Sequence, residues 1–123
     1  MIIIDDSLII RSQLRKKFEA EGYEVIEAED GFLGGELIKD HPDAAVIILD
    51  LHMPGMDGLT MLEIAKKENL SLHVPKIVLT TESSFEMLTK GKEVGVTSWF
   101  VKPLTEGRLE VLNDTIHLLI DKK

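Results

Sequence analysis

Five short apolar runs rich in β-branched residues recur at fairly even intervals along the chain, with helix-like segments between them. The runs are Ile2–Ile4, Val25–Ile26, Ala45–Leu49, Lys76–Leu79 and Ser98–Val101. Each is too short for a helix, and the third lacks the polar alternation typical of a half-exposed strand. Strands that alternate with helices through short links pair in parallel, and right-handed crossovers put helices on both faces of the sheet. The pattern predicts an α/β fold with five parallel strands and five helices.

The segments between the runs have helical spacing. The first repeats apolar residues at every fourth position, at Ile10, Leu14 and Phe18. The last traces one apolar stripe through Leu109, Leu112, Ile116, Leu119 and Ile120. In that last helix, Thr105 is the predicted N-cap, Leu104 and Leu109 are at staple positions, and Lys122 and Lys123 oppose the helix dipole. Other helix ends are predicted at Gly22, Asn69 and Gly95.

One domain, residues 1–123, is expected to account for the whole chain. A length of 123 residues suits a single fold unit, and no internal linker or repeat interrupts the alternation. Met1 falls inside the first predicted strand, so either the natural start lies upstream or this strand is unusually short.

Composition narrows the possible functions. The chain has no cysteine, which excludes a disulfide scaffold, a cysteine-zinc site, an iron–sulfur cluster and a thiol nucleophile. Its 14 basic and 22 acidic side chains give a formal charge of −8, which argues against nucleic acid or an anionic membrane as a direct partner. The acidic N-terminus is unlike a signal or transit peptide, and no apolar run is long enough to span a membrane. We therefore expect a cytoplasmic protein.

Polar and charged side chains follow four of the five predicted strands. In an open parallel sheet, ligands bind beyond the carboxyl ends of the strands. The residues at these ends are Asp5 and Asp6 after the first strand, Asp50 after the third, Thr80 and Thr81 after the fourth, and Lys102 after the fifth. The sequence thus predicts that three carboxylates, a hydroxyl and one ammonium group converge on one rim.

Three aspartates packed together need a counter-ion. Two carboxylates about 4 Å apart repel by roughly 4 kcal/mol at an effective dielectric constant of about 20. Lys102 alone cannot balance three charges, and an all-oxygen set without a His or Cys pattern points to a hard cation such as Mg²⁺. Mg²⁺ and Lys102 together favour a phosphoryl group, to which Thr80 would offer its hydroxyl. Asp50, on the central strand between the metal and the ammonium group, is then in the position expected for a nucleophile or acceptor.

Any one of these residues is a weak signal, because a lone Asp after a strand is usually a turn residue or a helix N-cap. Together, in this order and at strand ends, they are highly specific. The chain resembles the receiver domain of bacterial two-component response regulators, of the stand-alone chemotaxis type, over essentially all 123 residues. The resemblance rests on Asp5-Asp6, Asp50 within 49–58, Thr80 after 77–79, and Lys102-Pro103 after 99–101.

The resemblance implies a doubly wound, flavodoxin-like sheet of order 2-1-3-4-5. It also implies that Asp50 accepts a phosphoryl group from a phosphohistidine of a histidine kinase, and that Lys102 contacts this group. The Mg²⁺ ligands that it implies are Asp6, Asp50, the backbone carbonyl of His52 and, through water, Asp5. The Lys102–Pro103 peptide bond is expected to be cis.

The same resemblance implies a switch. Phosphorylation would draw in the hydroxyl of Thr80, and Trp99 would turn inward behind it. This change would repack the face made by helix 4, strand 5 and helix 5, which would bind a downstream protein such as a motor-switch component or a phosphatase. The residues expected to tune the lifetime of the phosphorylated state are His52, Thr81 and Glu82.

Two helices depart from the family pattern. Helix 4 carries Gly91 and an irregular apolar face with Phe85 and Leu88, which predicts either a two-state element or a helix that only frays. In helix 2, Gly34 and Gly35 replace the usual Ala-Leu pair, and the sequence suggests no function for them.

Other motifs carry little weight. The Gly31-x-x-Gly34-Gly35 segment lacks the dinucleotide-binding spacing, residues 89–92 lack the P-loop pattern, and the four histidines show no metal-ligand spacing. The basic run Arg15-Lys16-Lys17 is either one solvated helix face or a docking patch for a kinase.

Three functions remain to be compared. The first is a stand-alone receiver, a signalling protein that catalyses only its own phosphorylation and dephosphorylation. The second is a receiver cut from a longer regulator with an output domain. The third is a small Mg²⁺-dependent aspartyl phosphohydrolase, but such enzymes usually carry a second Asp two residues after the nucleophile, where this chain has His52.

Overall fold

Five parallel strands form a single sheet in the computed structural model, which describes residues 1–121. The strands are β1 (Ile2–Ile4), β2 (Ile26–Ala28), β3 (Ile47–Leu49), β4 (Lys76–Thr80) and β5 (Ser98–Val101). The helices are α1 (Leu8–Ala20), α2 (Gly31–Asp40), α3 (Gly58–Lys67), α4 (Phe85–Glu93) and α5 (Glu106–Asp121). The strand order is β2-β1-β3-β4-β5, so the predicted doubly wound, flavodoxin-like fold is confirmed.

The register aligns the carboxyl ends of the strands. Ile3 pairs with Glu27 on one side and with Ile48 on the other, and Ile48 pairs in turn with Ile77. The backbone N–H of Asp50 donates to the carbonyl of Ile4 at 2.9 Å, which continues the ladder just past the end of β3. Residues that follow neighbouring strands are therefore brought side by side.

Alternate residues of the central strands face opposite layers of helices. Ile2 and Ile4 belong to the core cluster that α2 and α3 cover, whereas Ile3 belongs to the cluster that contains Phe18 of α1 and Ile116 of α5. All five of these side chains are fully buried, and each contributes about 1.5–3 kcal/mol relative to an exposed position. The continuous apolar runs of the sequence are explained by this burial on both faces.

Polar side chains begin each helix. In every case, a side-chain oxygen just before the helix accepts a hydrogen bond from a backbone N–H of the first turn, and such a cap contributes about 1 kcal/mol. These N-cap residues are Ser7, Asp30, Asp57, Ser84 and Thr105, the last of which was predicted. The predicted helix ends have left-handed backbone at Gly22, Asn69 and Gly95.

A glycine allows α2 to pack closely on the sheet. A Cβ at Gly34 would lie 2.8 Å from the Ile4 side chain and 2.9 Å from the Met61 sulfur, closer than real Cβ atoms approach. At Gly35, the nearest atom would be 3.9 Å away, an ordinary contact. Gly34, for which the sequence suggested no role, is therefore packed closely against Ile4 and Met61, which would have to shift to admit a methyl group.

Several boundaries differ from the prediction. β2 starts at Ile26 rather than Val25 and extends to Ala28, and β3 starts at Ile47 rather than Ala45. Met1 precedes β1, although its carbonyl accepts a hydrogen bond from Ile26. A strand extends only where its neighbours supply hydrogen-bond partners, and hydropathy does not reveal that limit. Lys122 and Lys123, predicted to oppose the α5 dipole, lie outside the described residues.

Within residues 1–121, no helix has both the length and the apolar character that crossing a bilayer requires.

Candidate functional site

Three carboxylates meet at the carboxyl edge of the sheet, as predicted. Asp5 and Asp6 directly follow β1, and Asp50 directly follows β3. Ligand oxygens of the three residues lie within 4.8 Å of one another. Asp5 and Asp50 are buried, whereas Asp6 is exposed. One side of the cluster is thus open to solvent.

Lys102 contacts two of these carboxylates. Its Nζ is 3.0 Å from Asp5 Oδ2 and 3.1 Å from Asp50 Oδ2. The backbone places it there, because the Lys102 N–H donates to the carbonyl of Thr80 at the end of β4. The Lys102–Pro103 bond is cis, as expected.

The charges of the cluster do not balance. Burial raises the pKa of Asp5, and the opposing hydrogen bonds from Ser7 and Lys102 do not cancel the shift. Burial also disfavours the charged form of Lys102, but its contacts with Asp5 and Asp50 outweigh that penalty and raise the pKa of the amine. Lys102 is therefore a cation at neutral pH, and among residues 1–121 its ammonium group is the one that forms ion pairs with this cluster of three carboxyl groups, at Asp5 and Asp50.

The Asp50 carboxylate is fixed in place by its surroundings. Oδ1 accepts the backbone N–H of Leu51 at 2.7 Å, and Oδ2 faces Lys102. The loop after β3 then folds back, because the Gly58 N–H donates to the carbonyl of Leu51. A Cβ at Gly58 would lie 2.3 Å from the Asp50 carbonyl oxygen, so only glycine permits this approach.

Thr80 is fully buried and is the last residue of β4 rather than the first after it. Its hydroxyl accepts the backbone N–H of Glu82 at 3.4 Å and makes no hydrogen bond with the acidic cluster within residues 1–121. Thr81 is exposed. β4 thus extends one residue further than predicted, and the Thr80 hydroxyl is bound to the following loop.

Trp99 lies on β5 and contacts the same loop. Its indole Nε1 donates to the carbonyl of Glu82 at 2.8 Å. The ring also rests on Gly91 of α4, where a Cβ would be 2.8 Å from Trp99 Cζ3. The glycine that weakens α4 therefore makes room for the indole.

His52 and Glu82 contact each other, which the sequence did not predict. His52 Nε2 is 2.6 Å from Glu82 Oε2, and the pair joins the loops that follow β3 and β4. The resemblance to the family named both residues as expected to tune the lifetime of the phosphorylated state, and each lies two residues after a site residue, Asp50 or Thr80. The resemblance thus named the two residues but did not predict the contact between their side chains.

Sequence reasoning missed Arg11 of α1. Its Nη1 donates to the backbone carbonyl of Asp5 at 2.7 Å, and its Nε donates to Glu27 of β2 at 3.0 Å. A basic residue on an amphipathic helix gives no signal of such a contact. Of the nearby basic run, Arg15 and Lys17 form ion pairs with Glu27 and Glu110, and Lys16 is exposed.

A family model described as the response regulator receiver domain matches residues 1–112. The chain belongs to this family. This receiver domain is 30% identical over 121 residues to the chemotaxis protein CheY1 of Helicobacter pylori strain J99, a match that covers 98% of the chain and 95% of that protein. Its structure is similar to that of the chemotaxis protein CheY4 of Vibrio cholerae, with a TM-score of 0.85, 33% identity, and coverage of 96% of this chain and 95% of that one.

The receiver domain also resembles part of a longer protein. It is 33% identical over 123 residues to the probable transcriptional regulator ycf27 of Porphyridium aerugineum, a match that covers 99% of the chain and 49% of that regulator. The resemblance to the family that the sequence suggested is therefore confirmed, and the domain is of the CheY-like type within two-component signalling.

Proposed function

We propose that residues 1–123 form a single phosphoacceptor domain in which Asp50 takes a phosphoryl group from a histidine kinase. The observation that carries this proposal is the environment of Asp50, a carboxylate just past the end of the central strand that faces an ammonium group and lies near two further carboxylates. We also propose that the protein acts in the cytoplasm as a signalling protein, with no direct nucleic-acid or membrane partner.

Phosphoryl transfer to Asp50 requires mainly that the protein position the reacting groups and neutralise charge. An Asp50 oxygen attacks the phosphorus of the phosphohistidine, the P–N bond breaks, and its electron pair returns to the imidazole of the kinase. The product is an acyl phosphate. A carboxylate acceptor, unlike a hydroxyl, needs no general base, and catalysis of phosphoryl transfer consists mainly of positioning and charge neutralisation.

Lys102 supplies part of that neutralisation. In the unphosphorylated protein, its ammonium group is shared between Asp5 and Asp50. When Asp50 becomes an acyl phosphate, Lys102 would contact a phosphoryl oxygen in place of the lost carboxylate charge. Thr80 would offer its hydroxyl to another oxygen once it leaves the Glu82 N–H.

The donor set suits Mg²⁺. Three carboxylates with oxygens within 4.8 Å of one another, and no His or Cys side chain in the group, form an all-oxygen site typical of a hard cation. We propose Asp6, Asp50 and the backbone carbonyl of His52 as ligands, with Asp5 acting through water. When bound, Mg²⁺ would neutralise charge that develops on the transferred group.

The signal would leave through Thr80 and Trp99. Both are bound to Glu82 by hydrogen bonds, one through its N–H and the other through its carbonyl. Withdrawal of the Thr80 hydroxyl would therefore disturb the loop that the indole contacts, and so the face made by α4, β5 and α5. We propose that this face binds a downstream protein, for example a motor-switch component or a phosphatase, to which exposed side chains such as Phe85 of α4 and Leu118 of α5 would be accessible.

Incubation with acetyl phosphate and Mg²⁺, followed by intact mass measurement, tests the proposal. We expect a gain of one phosphoryl group that is lost with EDTA and in Asp50→Asn. Asp57→Asn is the matched control, because Asp57 lies in the same loop but caps α3, and asparagine can replace it as a cap. A wild-type protein that stays unmodified, or equal modification of Asp50→Asn, would contradict the proposal.

A second candidate is the receiver part of a longer regulator. The match to about half of the ycf27 regulator favours it. Sequencing of the gene beyond the codon for Lys123 separates the two: a stop codon there supports the stand-alone receiver, and a continuing reading frame supports an output domain.

A further inference from the structure

We propose that Arg11 is a positioning residue for the acidic site, which it orients through the backbone of Asp5 rather than through a carboxylate. Its guanidinium Nη1 donates to the Asp5 carbonyl at 2.7 Å. This inference rests on the proposed Mg²⁺-dependent function and adds a residue to it.

The Asp5 carbonyl marks the point where the chain leaves the sheet. The Asp5 N–H still donates to the carbonyl of Ala28 in β2, at 3.1 Å. The Asp5 side chain then accepts the N–H of Ser7 at 2.8 Å and so turns the chain into α1. Arg11, one turn further along that helix, binds the carbonyl between these two contacts.

Asp6 depends on this peptide more than the other two aspartates do. Asp5 and Asp50 each have a carboxylate oxygen near Lys102. The Asp6 carboxylate is exposed and makes no hydrogen bond or ion pair within the part of the chain that the structure describes, residues 1–121. Its direction is therefore set by the backbone, and the Asp5–Asp6 peptide plane is held by Arg11.

The guanidinium is itself held firmly. Its Nε donates to Glu27 Oε1 at 3.0 Å, and only 13% of the Arg11 side chain is exposed. A planar guanidinium with five donors can bind a carboxylate and a carbonyl at once, in fixed directions. A lysine ammonium on a flexible stem lacks this fixed geometry.

Arg11 also leaves the carboxylate oxygens free. Its described contacts at the site go to a carbonyl, so unlike Lys102 it does not compete directly with a cation for Asp5, Asp6 or Asp50. If Arg11 acted mainly as a nearby positive charge, it would weaken Mg²⁺ binding. If it acts mainly by orienting the Asp5–Asp6 peptide, it strengthens Mg²⁺ binding. The two roles predict opposite effects of removing it.

Arg15 provides a matched control. It donates to the same Glu27 through its Nε, but its Nη2 donates to the carbonyl of Val25, at the opposite end of β2 from the acidic site. Loss of either arginine removes one ion pair between α1 and Glu27. Only the loss of Arg11 frees the Asp5 carbonyl.

The test compares Mg²⁺ binding by calorimetry in the wild-type protein, Arg11→Gln, Arg11→Lys and Arg15→Gln, together with hydrogen exchange of the Asp6 and Ser7 amides in EDTA. We expect about tenfold weaker binding in Arg11→Gln, as is typical when a group that orients a metal ligand is lost. Arg11→Lys, which keeps the charge, should also bind more weakly. Arg15→Gln should bind as the wild type does, and the amides should exchange faster only in the Arg11 variants.

Three results would overturn the inference: unchanged or tighter binding in Arg11→Gln, wild-type binding in Arg11→Lys, or an equal loss in Arg15→Gln. If Arg11→Gln does not fold, Arg11→Lys and the exchange rates decide the question. A wild-type protein that binds no Mg²⁺ would instead contradict the proposed function, so the two failures are distinguishable.

Discussion

The contact between His52 and Glu82 links two loops at the level of single side chains. One loop follows Asp50, the proposed acceptor, and the other follows Thr80. Glu82 also receives the Trp99 indole at its carbonyl. One residue thus connects the edge of the site with β5.

We expect His52→Ala and Glu82→Ala to shorten the half-life of the phosphorylated protein severalfold, because loss of the pair would open the site to the hydrolytic water. The double variant should decay no faster than the faster single variant, since both remove one interaction. Decay is measured by intact mass after the phosphodonor is removed. His117→Ala, an exposed histidine on α5, is the control. Decay of both single variants at the parent rate would contradict the prediction.

Lys76 is a buried amine that forms no ion pair with a carboxylate among residues 1–121. Only 4% of it is exposed, and its Nζ donates to the carbonyls of Ser71 and Val74 at 2.6 and 2.9 Å. Burial lowers the pKa of this amine below the usual value of 10.5. The folded protein therefore releases this proton at a lower pH than the unfolded chain does.

This difference predicts a pH dependence of stability. Between the lowered pKa and the usual one, the unfolded chain holds a proton that the folded protein has lost, so rising pH favours the folded state. The free energy of unfolding of the wild type should rise relative to that of Lys76→Met as pH increases from neutral into the lysine range. Urea unfolding at several pH values measures it, with Lys16→Met as the exposed control. A constant difference would contradict it.

The sequence predicted that Asp5, Asp6, Asp50 and Lys102 meet at one edge of the sheet, because each lies just past the end of a parallel strand. It could not predict contacts that depend on side-chain direction. The pairing of His52 with Glu82 and the reach of Arg11 to the Asp5 carbonyl both join residues far apart along the chain or on different elements. The roles assigned to Asp50, Lys102 and the Mg²⁺ ligands stay predictions.

At the scale of elements, two adjacent glycines of α2 differ in how closely their surroundings pack. Gly34 faces Ile4 and Met61 without room for a methyl group, and Gly35 has room. Both lie inside the helix, where glycine costs about 1 kcal/mol relative to alanine.

We expect Gly35→Ala to stabilise the protein by about 0.5–1 kcal/mol, through the helix propensity alone. Gly34→Ala should destabilise it by about 1–3 kcal/mol, because α2 must move away from β1 to fit the methyl group. Denaturant unfolding of both variants measures the difference. If the two substitutions have the same sign of effect, the close packing of Gly34 does not govern the stability of α2.

Strand limits were harder to predict than strand existence. All five apolar runs gave strands, but β2 extends past its apolar run to include Glu27, an edge residue whose charge is matched by Arg11 and Arg15. Hydropathy marks burial, whereas a strand ends where its backbone partners end. The strand order followed from the resemblance to the family rather than from the spacing of the runs.

At the scale of the whole molecule, binding of a cation at the acidic site would be coupled to folding. The unfolded chain does not hold three carboxylates together, so a cation that binds the folded form should stabilise it. At a concentration 100-fold above the dissociation constant, the gain is about 2.7 kcal/mol.

We expect Mg²⁺ to raise the melting temperature by several degrees, and EDTA to reverse the rise. Asp6→Asn should lose most of this response, because it removes an exposed carboxylate of the cluster. Asp43→Asn, at another exposed aspartate, should keep it. Thermal unfolding followed by circular dichroism measures the shift, and an equal response in the two variants would argue against the site.

The indole of Trp99 donates its N–H to Glu82 and lies against Gly91, and it is the only tryptophan of the sequence. Its ultraviolet emission therefore has one source, placed where the loop after β4 meets α4. If the proposed switch operates, we expect quenching or a wavelength shift of this emission on addition of acetyl phosphate and Mg²⁺, which would be recorded in real time without an attached dye. The native protein thus carries its own optical reporter.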